Sequence, residues 1–247
     1  MPSKNSKRPT KLSRVIDTLR EAYGRIAPPP APSVFALVLW EKVAYLAPDA
    51  KRAMAFGALE SRVGLTPEKI LAAKRSDLEA ICKLGGAVGF SNRAKSMQDS
   101  AALVIDEFDG DLDGVLSRPV KEAKRALQRF YGVGEPAAER ILLLRRAYPV
   151  LPLDSNGARV MVRLGYGVDD KNYTRMYRSV AEAARAELIE DLDWLTDAHV
   201  LLRHHGQEIC KTGAPHCESC PVRTHCAYAQ SRQRSRVQSK STPHRVP

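Results

Sequence analysis

Apolar positions along the chain recur at helical spacing almost throughout, and no stretch alternates as a half-buried strand would. The pattern predicts a helix over 15–23, then a breaker at Pro28, Pro29, Pro30 and Pro32. Ser33 is placed to cap a helix over 34–46, whose dense apolar content marks a buried element. Further helices are expected over 49–63, over 66–73 (opened by Thr66, Pro67 and Glu68) and over 76–84, which Gly85, Gly86 and Gly89 interrupt. A long helix over 92–108 carries Ala94, Met97, Ala101, Val104, Ile105 and Phe108. A helical pair over 120–131 and 135–148 is parted only by Gly132, Val133 and Gly134, and helices resume over 156–164, 172–188 and 194–208. The fold class is all-α, with ten or so helices and no long-period repeat.

Composition narrows this little, but the placement of charge changes it. The 247 residues are 44% hydrophobic and 27% charged, which suits a globular chain, and no apolar run approaches a membrane span. The basic N-terminus lacks the apolar stretch of a secretory signal, so a cytoplasmic, nucleoid-associated protein with no membrane partner is expected. Net charge is +11, yet ten of those charges sit in residues 1–14 and 231–247, leaving +1 for the body. Both ends read as disordered basic tails, either solvated or serving as salt-sensitive tethers to nucleic acid.

Two segments carry chemistry. In Gly132-Val133-Gly134 the glycines permit a tight turn and leave it bare of side chains, with Val133 turned inward. Backbone N–H groups there and at the next helix start are able to face one phosphate; an ordinary αα-hairpin has the same pattern. The second is Cys210-x6-Cys217-x2-Cys220-x5-Cys226. Only one pair has the short spacing usual for zinc, and a [4Fe–4S] cluster accommodates the longer first loop; zinc and disulfides are the alternatives. Lys211, Arg223, His216 and His225 would offset the negative charge of such a cluster, and Lys211 and Arg223 would face a nucleic-acid backbone. Cys82, flanked by Ile81 and Leu84, reads as core.

The hairpin, Asp154 twenty residues after its second glycine, and the cysteine spacing together resemble the endonuclease III branch of the helix-hairpin-helix DNA glycosylases. Val88–Lys95 and His205–Cys210 fit the same order, and the resemblance spans about residues 32–228. It implies a six-helix barrel over 32–148 and an iron–sulfur cluster helical domain formed by 15–31 with 149–230, with duplex DNA and a flipped base in the cleft between. It further implies a monomeric base-excision repair glycosylase.

The resemblance places the catalytic carboxylate at Asp154, where it would stabilise an electron-poor sugar; as a residue, Asp154 equally suits the cap of the following helix. Bifunctional members carry a lysine two residues after the second glycine, where this chain has Pro136, which has no amine to form a Schiff base. That implies a monofunctional enzyme; a lyase using another lysine and a noncatalytic DNA-binding protein are the alternatives. Glu135 either adds a carboxylate to the site or favours the helix N-terminus. The segment Trp40-Glu41-Lys42 departs from the glutamine-rich pocket of the family, and Ala36 stands where adenine glycosylases have their glutamate. Trp40 and Glu41 either meet the flipped base, by stacking and by accepting from an exocyclic amine, or Trp40 is core while Glu41 and Lys42 form the solvent face.

Overall fold

The computed structural model describes residues 9–30 and 32–240, and these contain helices and no strand. The chain divides into two compact units, one of residues 28–148 and one joining residues up to 27 with those from 149 onward.

In the 28–148 unit the helices are α2 (Val34–Val43), α3 (Asp49–Arg62), α4 (Pro67–Ala72), α5 (Arg75–Leu84), α6 (Phe90–Glu107), α7 (Val120–Leu127) and α8 (Glu135–Leu144), with a 3-10 turn over Asp113–Ser117. Helix α2 is the centre. Every side chain from Val34 to Trp40 is buried, so it is apolar all round and packs on α3, α6 and α8. Ser33 caps it as expected, accepting from the Ala36 N–H at 3.0 Å, and the Val34 N–H donates to Asp113 Oδ1 at 2.5 Å.

Helix α2 stops three residues before the predicted end, and a tertiary contact explains why. Arg93, on α6, donates to the carbonyls of Val43 (2.6 Å), Cys82 (2.9 Å), Val88 (3.2 Å) and Gly86. The released chain then crosses the 85–89 loop, where the Tyr45 N–H donates to the Gly85 carbonyl. A Cβ on Gly85 would sit 2.2 Å from the Val43 carbonyl oxygen, so only glycine permits this crossing. Cys82 is fully buried in the core of this unit, in keeping with its apolar neighbours.

The second unit holds α1 (Lys11–Tyr23), α9 (Ser155–Leu164), α10 (Tyr173–Ala184), α11 (Leu192–Glu208) and α12 (Ala227–Lys240), with 3-10 turns over Arg185–Glu187 and Arg223–His225. Helix α11 packs along α9 and α1. Gly206 makes the close approach possible, since a Cβ there would lie 2.7 Å from the Asn156 carbonyl oxygen.

Both expected tails are shorter than read from sequence. Thr10 caps α1 by accepting from the Ser13 N–H, and Lys11–Arg14 belong to that helix, with Leu12 buried beside Val15, Ile16 and Leu19. Lys11 also donates to the Leu164 carbonyl at the end of α9. At the other end α12 runs through Lys240, built from helix-tolerant Ala, Gln, Ser and Arg with no Gly or Pro. The rest of both tail expectations, residues 1–8 and 241–247, lies outside the described residues.

Replacing Arg93 with Met is expected to lower stability by about 2–4 kcal/mol, because four carbonyls lose a charged donor at once. Urea unfolding of the full chain measures this. Lys95→Ala, which removes an exposed pair with Asp99, should change it by less than about 0.5 kcal/mol.

Candidate active site and cysteine loop

Helices α7 and α8 are joined by the 128–134 turn, and the two glycines serve different ends. Gly132 has φ +80°, a conformation that favours glycine, although a side chain there would meet open space. Gly134 has an ordinary φ of −81°, so its lack of a side chain matters instead, keeping the turn's outer face bare ahead of α8. Val133 is turned into the core, and its N–H donates to the Phe130 carbonyl at 2.9 Å.

Glu135 and Pro136 open α8, where the missing proline N–H breaks no helical bond. Glu135 is half-buried and held by Lys124 of α7 at 2.8 Å; the same ammonium meets Glu139 at 2.6 Å. Burial works against the charge on Lys124, yet its bonds to Glu135 and Glu139 more than offset this and raise its pKa. The fork fastens the two helices of the hairpin together.

On α2 the three residues singled out from sequence go to different places. Trp40 packs edge-on against Phe56, with ring centroids 5.2 Å apart, while Arg52 lies over its ring and donates to its carbonyl at 2.7 Å. Of the two roles open to Trp40, this packing fits the core one. Glu41 takes a two-pronged bond from Arg140 of α8, so its carboxylate is already engaged. Lys42 corrects the expectation of a solvent face. It is buried, and its Nζ donates to Ser96 Oγ at 2.9 Å and to the Tyr131 carbonyl at 2.5 Å.

Asp154, in the second unit, caps α9. Its Oδ1 accepts from the backbone N–H groups of Asn156 (3.1 Å) and Gly157 (2.9 Å). Its Oδ2 accepts from Asn156 Nδ2 at 3.3 Å and from Arg203 on α11. The carboxylate is 13% exposed and its rotation is blocked from both oxygens. Arg203 was not singled out in the sequence; only its position on a helix packed against α9 reveals it.

All four C-terminal cysteines are free thiols lining one cavity, whose wall includes Val160, Leu164, Ile209 and Val222. No three His, Cys, Asp or Glu side chains among the described residues converge closely enough for a single metal ion. The four thiols share one largely apolar cavity, a donor set of the kind a thiolate-bound metal or cluster requires. Burial raises the Cys220 thiol to about 11, the penalty a bound metal would have to overcome.

The loop is held by α9. Arg163 donates to Cys210 Sγ (3.2 Å) and to the carbonyls of Cys210, Lys211 and Thr212, while Arg159 reaches the carbonyls of Cys210 and Gly206. The cation beside the first cysteine is therefore Arg163, 47 residues upstream; Lys211 and Arg223 are exposed. His205 is buried between Tyr23 Oη, 2.6 Å from Nδ1, and Cys220 Sγ, 3.6 Å from Nε2. Burial, with neighbouring His204, pushes it down to about 4, so the ring is neutral.

Residues 47–186 match the family model described as HhH-GPD superfamily base excision DNA repair protein. The chain belongs to that superfamily. It is 30% identical to an endonuclease III of Rickettsia conorii over 165 residues, 66% of this chain and 70% of the relative. It is 29% identical to that of Sulfolobus acidocaldarius over 199 residues, 79% of this chain and 82% of the relative. The fold matches a solved structure described as a non-covalent endonuclease III–DNA complex, with TM-score 0.71 and 22% identity over 91% of this chain and 99% of that one. The HhH-GPD match covers α3 to α10, with the glycine hairpin and Asp154 inside it.

Because Asp154 acts as a cap, Asp154→Ala is expected to cost about 1–2 kcal/mol in urea unfolding, and Asp154→Asn less, since its amide oxygen still accepts. That difference separates the stability role of the residue from its charge.

Proposed function

We propose that the protein is a monofunctional base-excision DNA glycosylase. It binds duplex DNA, flips out a damaged or mismatched base, and hydrolyses the N-glycosidic bond to leave an abasic site. The observation that carries this is Asp154: a nearly buried carboxylate, oriented by four donors, in a chain whose lyase position is Pro136. As the base departs with the bonding electrons, positive charge develops at the sugar and a fixed carboxylate stabilises it. Water then adds to C1′ and gives up a proton. No covalent enzyme–sugar bond is needed, and Pro136 offers no amine to form one.

Sequence-independent grip on the duplex falls to the N–H groups of Gly132, Gly134 and the start of α8, with Val133 pinning the turn through its buried side chain and its bond to Phe130, and with Lys211 and Arg223 meeting backbone phosphates. Cys210, Cys217, Cys220 and Cys226 would hold a [4Fe–4S] cluster, which when bound ties down the loop carrying those two cations. Arg163 supplies positive charge next to Cys210 in either state. Each chain carries its own hairpin, aspartate and cysteine set, which supports action as a monomer.

The experiment is a panel of duplexes with single lesions or mismatches, each treated with alkali after incubation to reveal abasic sites. Base release from at least one duplex is expected, with strand breaks appearing only after alkali, and Asp154→Asn should be slower by about 100-fold or more. Retained activity in Asp154→Asn would overturn the catalytic assignment, and an adduct trapped by borohydride would replace hydrolysis with lyase chemistry at another lysine. The purified protein is expected to be brown, with iron and sulfide each near four per chain (about one cluster); a colourless zinc protein would refute the cluster.

A further inference from the structure

Lys42 runs from the apolar centre of the 28–148 unit to the backbone of the hairpin. Helix α2 is otherwise apolar as far as Trp40, and Lys42 itself is 6% exposed. Its ammonium is clasped between the Ser96 hydroxyl on α6, itself buried, and the carbonyl of Tyr131, the residue immediately before Gly132. A buried cation is costly unless it is hydrogen-bonded, and here the ammonium donates to two acceptors. The peptide unit whose carbonyl Lys42 holds carries the Gly132 N–H on its opposite side.

We propose that Lys42 is a positioning residue for the hairpin and its interior cation: it fixes the Tyr131 carbonyl so that the turn amides face one phosphate, and it adds positive charge to that phosphate site from beneath. This rests on reading the hairpin as the duplex-binding turn. A charge at this depth acts through protein and not through water, so it is felt more strongly than a surface lysine and is screened less by salt. Surface cations close by in sequence are already paired, Lys124 of α7 with Glu135 and Glu139 and Arg129 of the turn with Glu107.

The charge is titratable close to neutrality. Burial brings Lys42 from 10.5 down to about 8, against smaller opposing pulls from Glu41 and Asp99. Those neighbours are themselves paired, Glu41 with Arg140 of α8 and Asp99 with Lys95; from α3, Arg52 is engaged on the Trp40 carbonyl. Between about pH 8 and 10.5 the unfolded chain binds the Lys42 proton and the folded protein does not, so this residue makes stability rise with pH in that window. Duplex affinity should fall over the same range as the interior charge is lost. A residue that merely holds the fold together would move stability and affinity in the same direction.

The test measures binding of the full-length protein to an undamaged fluorescent duplex at fixed salt from pH 6.5 to 9.5, beside urea unfolding. Lys42→Met is expected to bind about five-fold more weakly at pH 7. The wild-type advantage should shrink as pH passes 8 while wild-type stability gains on the variant. Equal affinity at pH 7, or a ratio constant from pH 6.5 to 9.5, overturns the proposal. Should Lys42→Met fail to fold, Ser96→Ala takes its place: losing one acceptor should move the affinity midpoint to lower pH, and a curve superposing on wild type overturns the proposal. Gly134→Asp, which puts a carboxylate on the turn's bare face, separates the two readings. If it binds duplex as well as wild type, the hairpin reading itself fails. If it loses binding while Lys42→Met does not, only the role of Lys42 fails.

Discussion

Carbonyl groups left over at helix ends are the constraint on which this structure depends. Each α-helix leaves its last four carbonyls without helical partners, and a chain of many short helices accumulates them next to buried loops. Here long cationic side chains supply the missing donors from other elements. Arg93 gathers the end of α2, the end of α5 and the loop between α5 and α6; Arg159 and Arg163 gather the end of α11 and the cysteine loop; Lys11 closes α9; Lys42 holds the hairpin. Such bonds are charge-assisted and stronger than neutral ones, and each ties a loop to a helix distant in sequence.

This gives the arginine and lysine content a meaning that net charge does not. With ten of the eleven surplus charges in residues 1–14 and 231–247, the body is nearly neutral. Many of its cations face inward, spent on backbone. A grip on nucleic acid built on such a body has to come from oriented amides and a few placed charges. The turn at Gly132 and Gly134 is suited to that, because at those two positions no side chain stands between the backbone and an approaching anion.

The division between what the sequence showed and what it hid follows the same line. Local signals were legible: Ser33, Thr66 and Asp154 cap the helices they precede, Pro136 sits in the first turn of α8, and Val133 points inward. Those depend on neighbours within four residues, which periodicity and capping chemistry report. Arg93, Arg163, Arg203 and Lys42 were missed or misplaced because each acts on a partner at least five and up to eighty-nine residues away. A polar residue next to Glu41 looks solvent-facing to any pattern argument. Only the arrival of the Tyr131 carbonyl above it makes burial tolerable. The end of α2 was misjudged for the same reason: nothing between Val43 and Leu46 announces that Arg93 claims the Val43 carbonyl.

On the proposed glycosylase reading, capping and chemistry converge on Asp154. A cap needs a short side chain with an acceptor held against two N–H groups; stabilising a cationic sugar needs a carboxylate that does not have to reorganise. The first requirement delivers the second, since the N–H bonds that end the helix also stop the carboxylate from turning. Arg203 adds to the fixing but subtracts from the charge, because a guanidinium on Oδ2 partly cancels the field that the carboxylate projects. A site built this way relies on orientation before raw electrostatics. In the proposed reaction it therefore gains most when the sugar meets the carboxylate in one defined pose.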